Sequence, residues 1–360
     1  MTTISDVARV AGVSVATVSR ALRGVSTVNT ATRDRVLAAA RSLDYVASPT
    51  AASLASGRTR VIGIVMPFLT RWFFVNALSA IEKTVREHGY HALLIDLEAD
   101  AAFERRALTT QMLNKRVDGL ITLNVPLRDE ELALINKLGL PVVGIGNPVP
   151  GHPLIHIDDE LAARTALDHL VNLGHTQIGY VGSVPPGAEH RLVPWGRLMG
   201  FRAGMREHGI MLHNEWIVSC DWSAKDAAKQ ARALFLGERI PTAVVAASDE
   251  IAIGVMAVAT ESERRIPQDI SIIGIDDFEL SSVLKLSTVR QDIDAQGRAA
   301  ADTLLHTLLS PTEEPAPPKP AGMVDDVLTV ATKLVVRRTT SPLRRSVDHV
   351  PSLLALRPDM

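Results

Sequence analysis

Apolar residues change their rhythm twice along this chain. Val7, Ala8, Val10 and Ala11 fall at helical spacing behind Ser5, which predicts a short helix capped by that serine. Gly12 interrupts it where a tight turn requires positive φ. Ser14 is the expected cap of a second helix, with Ala16 or Val18 and Leu22 available to pack on the first. Asn29 is the expected cap of a third, running through Arg33, Val36, Leu37, Ala40 and Leu43. Two short helices about a one-glycine turn, braced by a third, form a helix-turn-helix. Ser48 and Pro49 then suit the start of a two-turn helix stopped by Gly57, too short to be stable alone in water.

From Val61 the pattern becomes alternating. Val61–Pro67, His91–Asp96, Gly119–Asn124, Pro141–Gly146, Ile178–Gly182, Ala243–Ser248 and Ile272–Asp276 read as buried strands. Phe74, Leu78, Ile81 and Val85 recur at helical spacing between them, as do Leu198, Phe201 and Met205, and Ile251, Val255 and Ala259. Strand-helix alternation predicts parallel sheets covered by helices, and the span 61–340 is long enough for two doubly wound lobes. The expected fold is therefore an all-α helix-turn-helix head followed by an α/β core. Ligands in such lobes bind beyond the carboxyl ends of the strands.

Charge sharpens the division. Residues 1–60 hold eight arginines against three aspartates, whereas the remainder holds 30 basic and 37 acidic side chains. A basic head on an acidic body fits a polyanion-binding module joined to something else. Cys220 is the only cysteine, so no intrachain disulfide forms. The opening residues lack a basic region followed by an apolar run, and no stretch approaches a membrane span, so a cytoplasmic protein without a membrane partner is expected. Enzyme signatures are absent: there is no Gly-x-Ser-x-Gly, no phosphate-binding loop and no His-Glu-x-x-His. Asp158-Asp159 and Asp276-Asp277 are adjacent pairs whose side chains point apart on a strand, and neither makes an acid/base couple. His152 and His156 are separated by Pro153 and do not form a metal-binding helix face. No enzyme activity, cofactor or metal is expected.

The residues of the head also carry a likeness. Ile4-Ser5-Asp6-Val7-Ala8, Ala11-Gly12-Val13-Ser14 and Ala16-Thr17-Val18-Ser19-Arg20-Ala21-Leu22 closely resemble the lactose-repressor (LacI/GalR) family. The match continues through Thr32-Arg33, Val36 to Ala40, and Leu43-Asp44-Tyr45. In the body, Ile62 to Val65, Arg116 to Ile121, Arg197 to Phe201, Ala247 to Glu250, Gly274 to Asp277 and Thr288 to Gln291 extend it, so similarity runs from about Ile4 to Thr340. This resemblance implies a dimeric transcription regulator, with two periplasmic-binding-protein-like lobes joined by three crossovers. Its expected partners are palindromic operator DNA and a carbohydrate-like effector held in the cleft.

The resemblance places Val15 and Ala16 where the family reads bases, although small apolar side chains offer only contact with a thymine methyl. Arg20, one turn on, is the best candidate to bridge guanine O6 and N7, with a phosphate contact or an internal salt bridge as alternatives. Ser14, Thr17 and Ser19 carry hydroxyls suited to phosphates. Leu54 stands where the family inserts a leucine into the minor groove. For the effector, Arg197 and Asp276 resemble the pair that grips hydroxyls, Trp222 the aromatic platform, and Ser248 replaces a common asparagine. Phe73 and Phe74 line the opposite wall or belong to the core. Gly146 occupies a position that is often acidic, and Arg71-Trp72 replaces an Asn-Pro, so a bulkier or anionic sugar derivative is favoured over a common hexose. The expected domains are a helix-turn-helix at 1–47, a hinge helix and linker at 48–60, a core for effector binding and dimerisation at 61–340, and a disordered tail at 341–360. Residues 311–320, rich in proline, read as an exposed loop.

Overall fold

Three short helices open the chain: α1 (Ile4–Ala11), α2 (Val15–Leu22) and α3 (Thr30–Ser42). The computed structural model describes residues 2–22, 27–45, 57–98, 105–183, 193–310 and 315–343. Two compact units are present, Met1–Val61 with Lys115–Asp118, and Ile62–Asn114 with Gly119–Met360.

In the first unit the cap of α1 is Thr3 and not Ser5. Asp6 lies three residues beyond Thr3, so its carboxylate accepts from Thr3 N at 3.0 Å while Asp6 N donates to Thr3 Oγ1 at 3.4 Å. That reciprocal arrangement satisfies two otherwise orphaned donors, which Ser5 has no acidic partner to match. Gly12 ends the helix at φ 64°, and Asn29 caps α3 by accepting from Thr32 N at 2.8 Å. Val7, Val18 and Val36, one from each helix, are fully buried together. Asp118 closes the far end of this unit, accepting from Thr59 N, Thr59 Oγ1 and Arg60 N at 2.7–2.9 Å. The expected hinge helix lies outside the described residues, as does Leu54.

The second unit holds two six-stranded sheets. The first lobe contains β1 (Val61–Met66), β2 (His91–Asp96), β3 (Gly119–Leu123), β4 (Val142–Ile145) and β5 (Leu154–His156). The second contains β6 (Ile178–Gly182), β7 (Ile217–Ser219), β8 (Ala243–Ala246), β9 (Ser271–Asp276) and β10 (Ser287–Arg290). The late strands β11 (Val327–Thr329) and β12 (Lys333–Val335) return to the first and second sheet respectively, giving orders β11-β5-β4-β3-β1-β2 and β12-β10-β9-β8-β6-β7. The chain thus crosses between lobes three times, near residues 157, 291 and 331. Strands β3, β4, β6, β8 and β9 are buried along their whole length, as parallel strands covered on both faces must be. The helix Ile293–Leu309 belongs to the first lobe, where Ala300, Leu304 and Leu305 join Ile62, Ile81 and Ile121 in one core.

The second lobe extends past the expected border at 340. Buried His175 donates from Nε2 to Ser341 O at 3.0 Å, and Leu343 N donates to Leu173 O at 2.9 Å. The rest of the expected tail lies outside the described residues, and 315–320 carry no regular structure.

The helices Asp159–Asn172 and Val193–Glu207 pack tightly because Gly200 has no side chain. A Cβ there would sit 2.1 Å from Glu160 O and 2.7 Å from its carbonyl carbon, and backbone cannot step aside as a flexible side chain can. Gly200→Ala is therefore expected to destabilise the protein by about 1–3 kcal/mol or more. Equilibrium denaturation measures this, and an unchanged midpoint would contradict the packing described.

Candidate functional site

The sequence-predicted residues of the head gather at one end and one face of α2. Val18 and Ala21 turn inward, leaving Ser14, Val15, Ala16 and Arg20 exposed, with Thr17 and Ser19 half-buried beside them. Ala16 does not pack on α1; Val18 takes that place, since only it lies on the buried stripe. Ser14 Oγ accepts from Thr17 N at 3.2 Å and lies 2.9 Å from Thr17 Oγ1, which fixes the first turn. The end of α2 therefore presents hydroxyls, a small apolar surface and one guanidinium on a rigid frame. Among the described residues Arg20 forms no ion pair.

The six residues expected to hold the effector meet in the cleft between the two lobes. Phe73, Phe74, Arg197, Trp222, Ser248 and Asp276 all line one cavity. At its floor Arg197, 4% exposed, donates from Nε to Asp159 Oδ1 at 2.8 Å and from one terminal nitrogen to Ala247 O. The same nitrogen lies 3.7 Å from Asp276 Oδ1, too far for a full hydrogen bond, and the guanidinium sits 5.6 Å from the centre of the Trp222 ring. Asp276 Oδ1 accepts from Gln291 Nε2 at 2.6 Å, and Gln291 in turn accepts from Gln296 Nε2 at 3.0 Å. Burial pushes the Asp276 carboxyl up to about 7, with Arg197 opposing and Asp249 adding to the rise.

Asp276 is not a helix cap. It stands at the end of β9 with φ 131°, followed by Asp277 at φ 61°, both in the region that disfavours side-chain-bearing residues. Buried Asp249 holds this turn, accepting from Phe278 N at 2.9 Å, Ser281 Oγ at 2.6 Å and Thr288 Oγ1 at 2.6 Å. Asp277 is gripped by Arg290 at 2.5 Å and Arg337 at 2.6 Å. Gly274 makes room for Asp249, whose Oδ1 would lie 2.1 Å from a Cβ at that position.

Ser248 reaches the cavity, but its side chain caps the Asp249–Glu261 helix by accepting from Ile251 N at 3.2 Å. Phe74 is 7% exposed and serves the core as well as the wall, its ring edge-on to Phe73 at 5.3 Å. Several wall residues were not picked out by sequence reasoning: Asn124, Asn147, Arg105, Glu250 and Gln291. Asn147 Oδ1 accepts from Val193 N at 3.2 Å, joining the first lobe to the second. Arg71 of the first lobe lies 3.8 Å from Asp221 of the second, and the Trp72 and Phe278 rings meet edge-on at 5.1 Å. The Arg71-Trp72 replacement thus contributes two contacts across the mouth. Gly146 is explained sterically, because a Cβ there would fall 1.7 Å from Asn124 Oδ1.

Comparison with known proteins decides the family. Residues 3–48 match the description "Bacterial regulatory proteins, lacI family", and residues 167–340 match "Periplasmic binding protein-like domain". The transcriptional repressor PurR of Glaesserella parasuis is 31% identical over 349 residues, 96% of this chain and all of that one. This chain belongs to the lacI family of bacterial regulatory proteins. Among other members, the ribose operon repressor of Escherichia coli K12 is 32% identical over 87% of this chain and 94% of its own. The lac repressor dimer bound to operator and the anti-inducer ONPF superposes with a TM-score of 0.78 at 28% identity, covering 94% of this chain and 99% of that one.

The raised Asp276 carboxyl has a consequence for stability. A group whose acidic form is favoured by folding binds its proton more tightly in the folded chain than in the unfolded one. Its contribution is favourable below the folded value of about 7 and is lost as pH rises through it, when the buried anion must be carried. Asp276→Asn removes that burden while keeping an acceptor for Gln291. The ligand-free variant is expected to melt a few degrees above the wild type near pH 8, with the gap shrinking near pH 5. A difference independent of pH in thermal melts would contradict this.

Proposed function

We propose that this protein is a transcriptional repressor that binds palindromic operator DNA as a homodimer in the cytoplasm and responds to a small molecule held between its lobes. It is a binder and not an enzyme. The observation that carries this reading is the coexistence of two unlike sites on one chain. One is the exposed, basic end of α2. The other is a cleft whose floor is a buried arginine with an incompletely engaged aspartate.

In the head, Arg20 reads a base edge, Val15 and Ala16 fit against a thymine methyl, and Ser14, Thr17 and Ser19 hold phosphates. Twofold symmetry of the protein mirrors that of the site. Leu54 wedges into the minor groove at the centre, where unstacking is compensated by a bent duplex that wraps more protein. In the cleft, Arg197 and Asp276 take ligand hydroxyls, Trp222 and Phe73 cover the ring faces, and Phe74 and Ser248 shape the wall. Effector binding changes the angle between the lobes and thereby the spacing of the paired segments at 48–60. Paired segments favour operator; separated ones release it. This matches what the names of its relatives describe, a ribose operon repressor and a lac repressor dimer on operator.

Selection from a random duplex library tests the reading. The full chain should enrich a palindrome, and a library that remains unenriched would remove the operator-binding role. On the selected palindrome, Arg20→Ala should cost about 1–3 kcal/mol and relax preference at one symmetric pair of positions. Leu54→Ala should weaken binding to the palindrome far more than to random duplex; equal losses would eliminate the wedge.

A further inference from the structure

Among the described residues, charges around the cleft do not balance. Three arginines reach its wall, and each already faces a carboxylate set back from the cavity. Arg105 is buried against Glu131, with its terminal nitrogens 2.8 and 2.6 Å from the two carboxylate oxygens. Arg197 donates to Asp159 at 2.8 Å, and Arg71 lies 3.8 Å from Asp221. Two further carboxyl groups, Glu250 and Asp276, line the cavity itself, and Arg71 and Arg197 reach them only as cations shared with other carboxylates. Asp276 shares Arg197 at the longer distance of 3.7 Å. Among the described residues Arg71 is the cation whose field reaches the Glu250 carboxyl, which makes no hydrogen bond and no close ion pair. The first-turn amides of its helix offset only part of its charge. The other charges nearby among the described residues do not repair the deficit. Arg290 and Arg337 are both committed to Asp277, and buried Asp249 adds negative charge behind Asp276.

The consequences are visible in the groups themselves. Burial raises the Glu250 carboxyl, with Asp221 adding to the rise and Arg71 opposing it. The cleft thus asks its ligand for donors and positive charge. An anion would add to the excess, a neutral polyol would leave it standing, and a protonated amine would reduce it.

Resting on the effector-cleft reading above, we propose that the effector is a cyclic polyol carrying a protonated amine and no acidic group, its nitrogen directed toward Glu250 and Asp276. This reverses the preference for an anionic sugar drawn from Arg71. That arginine's charge is shared between Asp221, 3.8 Å away, and Glu250, two carboxylates against one cation.

Calorimetry on the full-length protein with matched sets tests this: glucosamine, glucose and glucuronate, with the galactose and mannose equivalents. In the set whose stereochemistry fits, the amine is expected to bind about tenfold or more tightly than the neutral sugar, and the uronate weakest. In Glu250→Gln the amine-to-neutral ratio should fall below about threefold. A uronate or neutral sugar that equals the amine in every set overturns the proposal. Silence from every compound at millimolar concentration also overturns it, since a cleft with uncompensated carboxylates retains a ring amine that fits. Enrichment of a palindrome by the same protein keeps the regulator reading in either case. Loss of both enrichment and ligand binding removes that reading itself.

Discussion

A guanidinium buried at the floor of the cleft constrains this structure more than any other single charge. Removing such a cation from water costs several kcal/mol unless anions and acceptors surround it. Arg197 obtains them from three separate places: Asp159 just after the first lobe crossing, Ala247 O beyond β8, and Asp276 at the end of β9. The demand of one side chain therefore fixes where three strand-to-helix connections end. Because two anions share one cation, Asp276 is left short of a full partner. In the proposed reading a ligand completes that arrangement, so the site is built around a deficit that binding removes.

Holding Asp276 in this position requires unfavourable backbone, and the surroundings supply the restraint. Asp249 takes three donors from the turn that follows β9, and Asp277 is locked between Arg290 and Arg337. None of these groups lines the cavity above Arg197; they act on it through the turn they hold. Strain at a cavity-lining residue, over-determined by buried hydrogen bonds, is the expected signature of a preorganised site.

Much of this was legible in the residues. Apolar periodicity located the three helices of the head and seven strands of the body, because each buries a face with a fixed period. The short strands β5, β7, β10, β11 and β12 escaped it, three or four residues each giving too little alternation. Arg197, Trp222 and Asp276 were found through a family likeness, which carries position without carrying partners. Asp159 was read only as half of an unpromising acid pair with Asp158. In the fold, Asp158 caps a helix by accepting from Leu161 N, while Asp159 faces Arg197, 38 residues away. Glu250 and Gln291 were hidden for the same reason. Their role depends on which charges other elements have already matched, and that sum exists only once both lobes are assembled.

The central claim is that the cleft and the DNA-reading head are thermodynamically coupled within one chain. Amide hydrogen exchange on the full-length protein, with and without its selected operator, tests this without knowledge of the effector. Coupling predicts altered protection at 193–201 and 274–278, around Arg197 and Asp276, when operator binds the head. Changes confined to the first 60 residues would contradict it, and the protein would then be a DNA-binding head beside an independent ligand site.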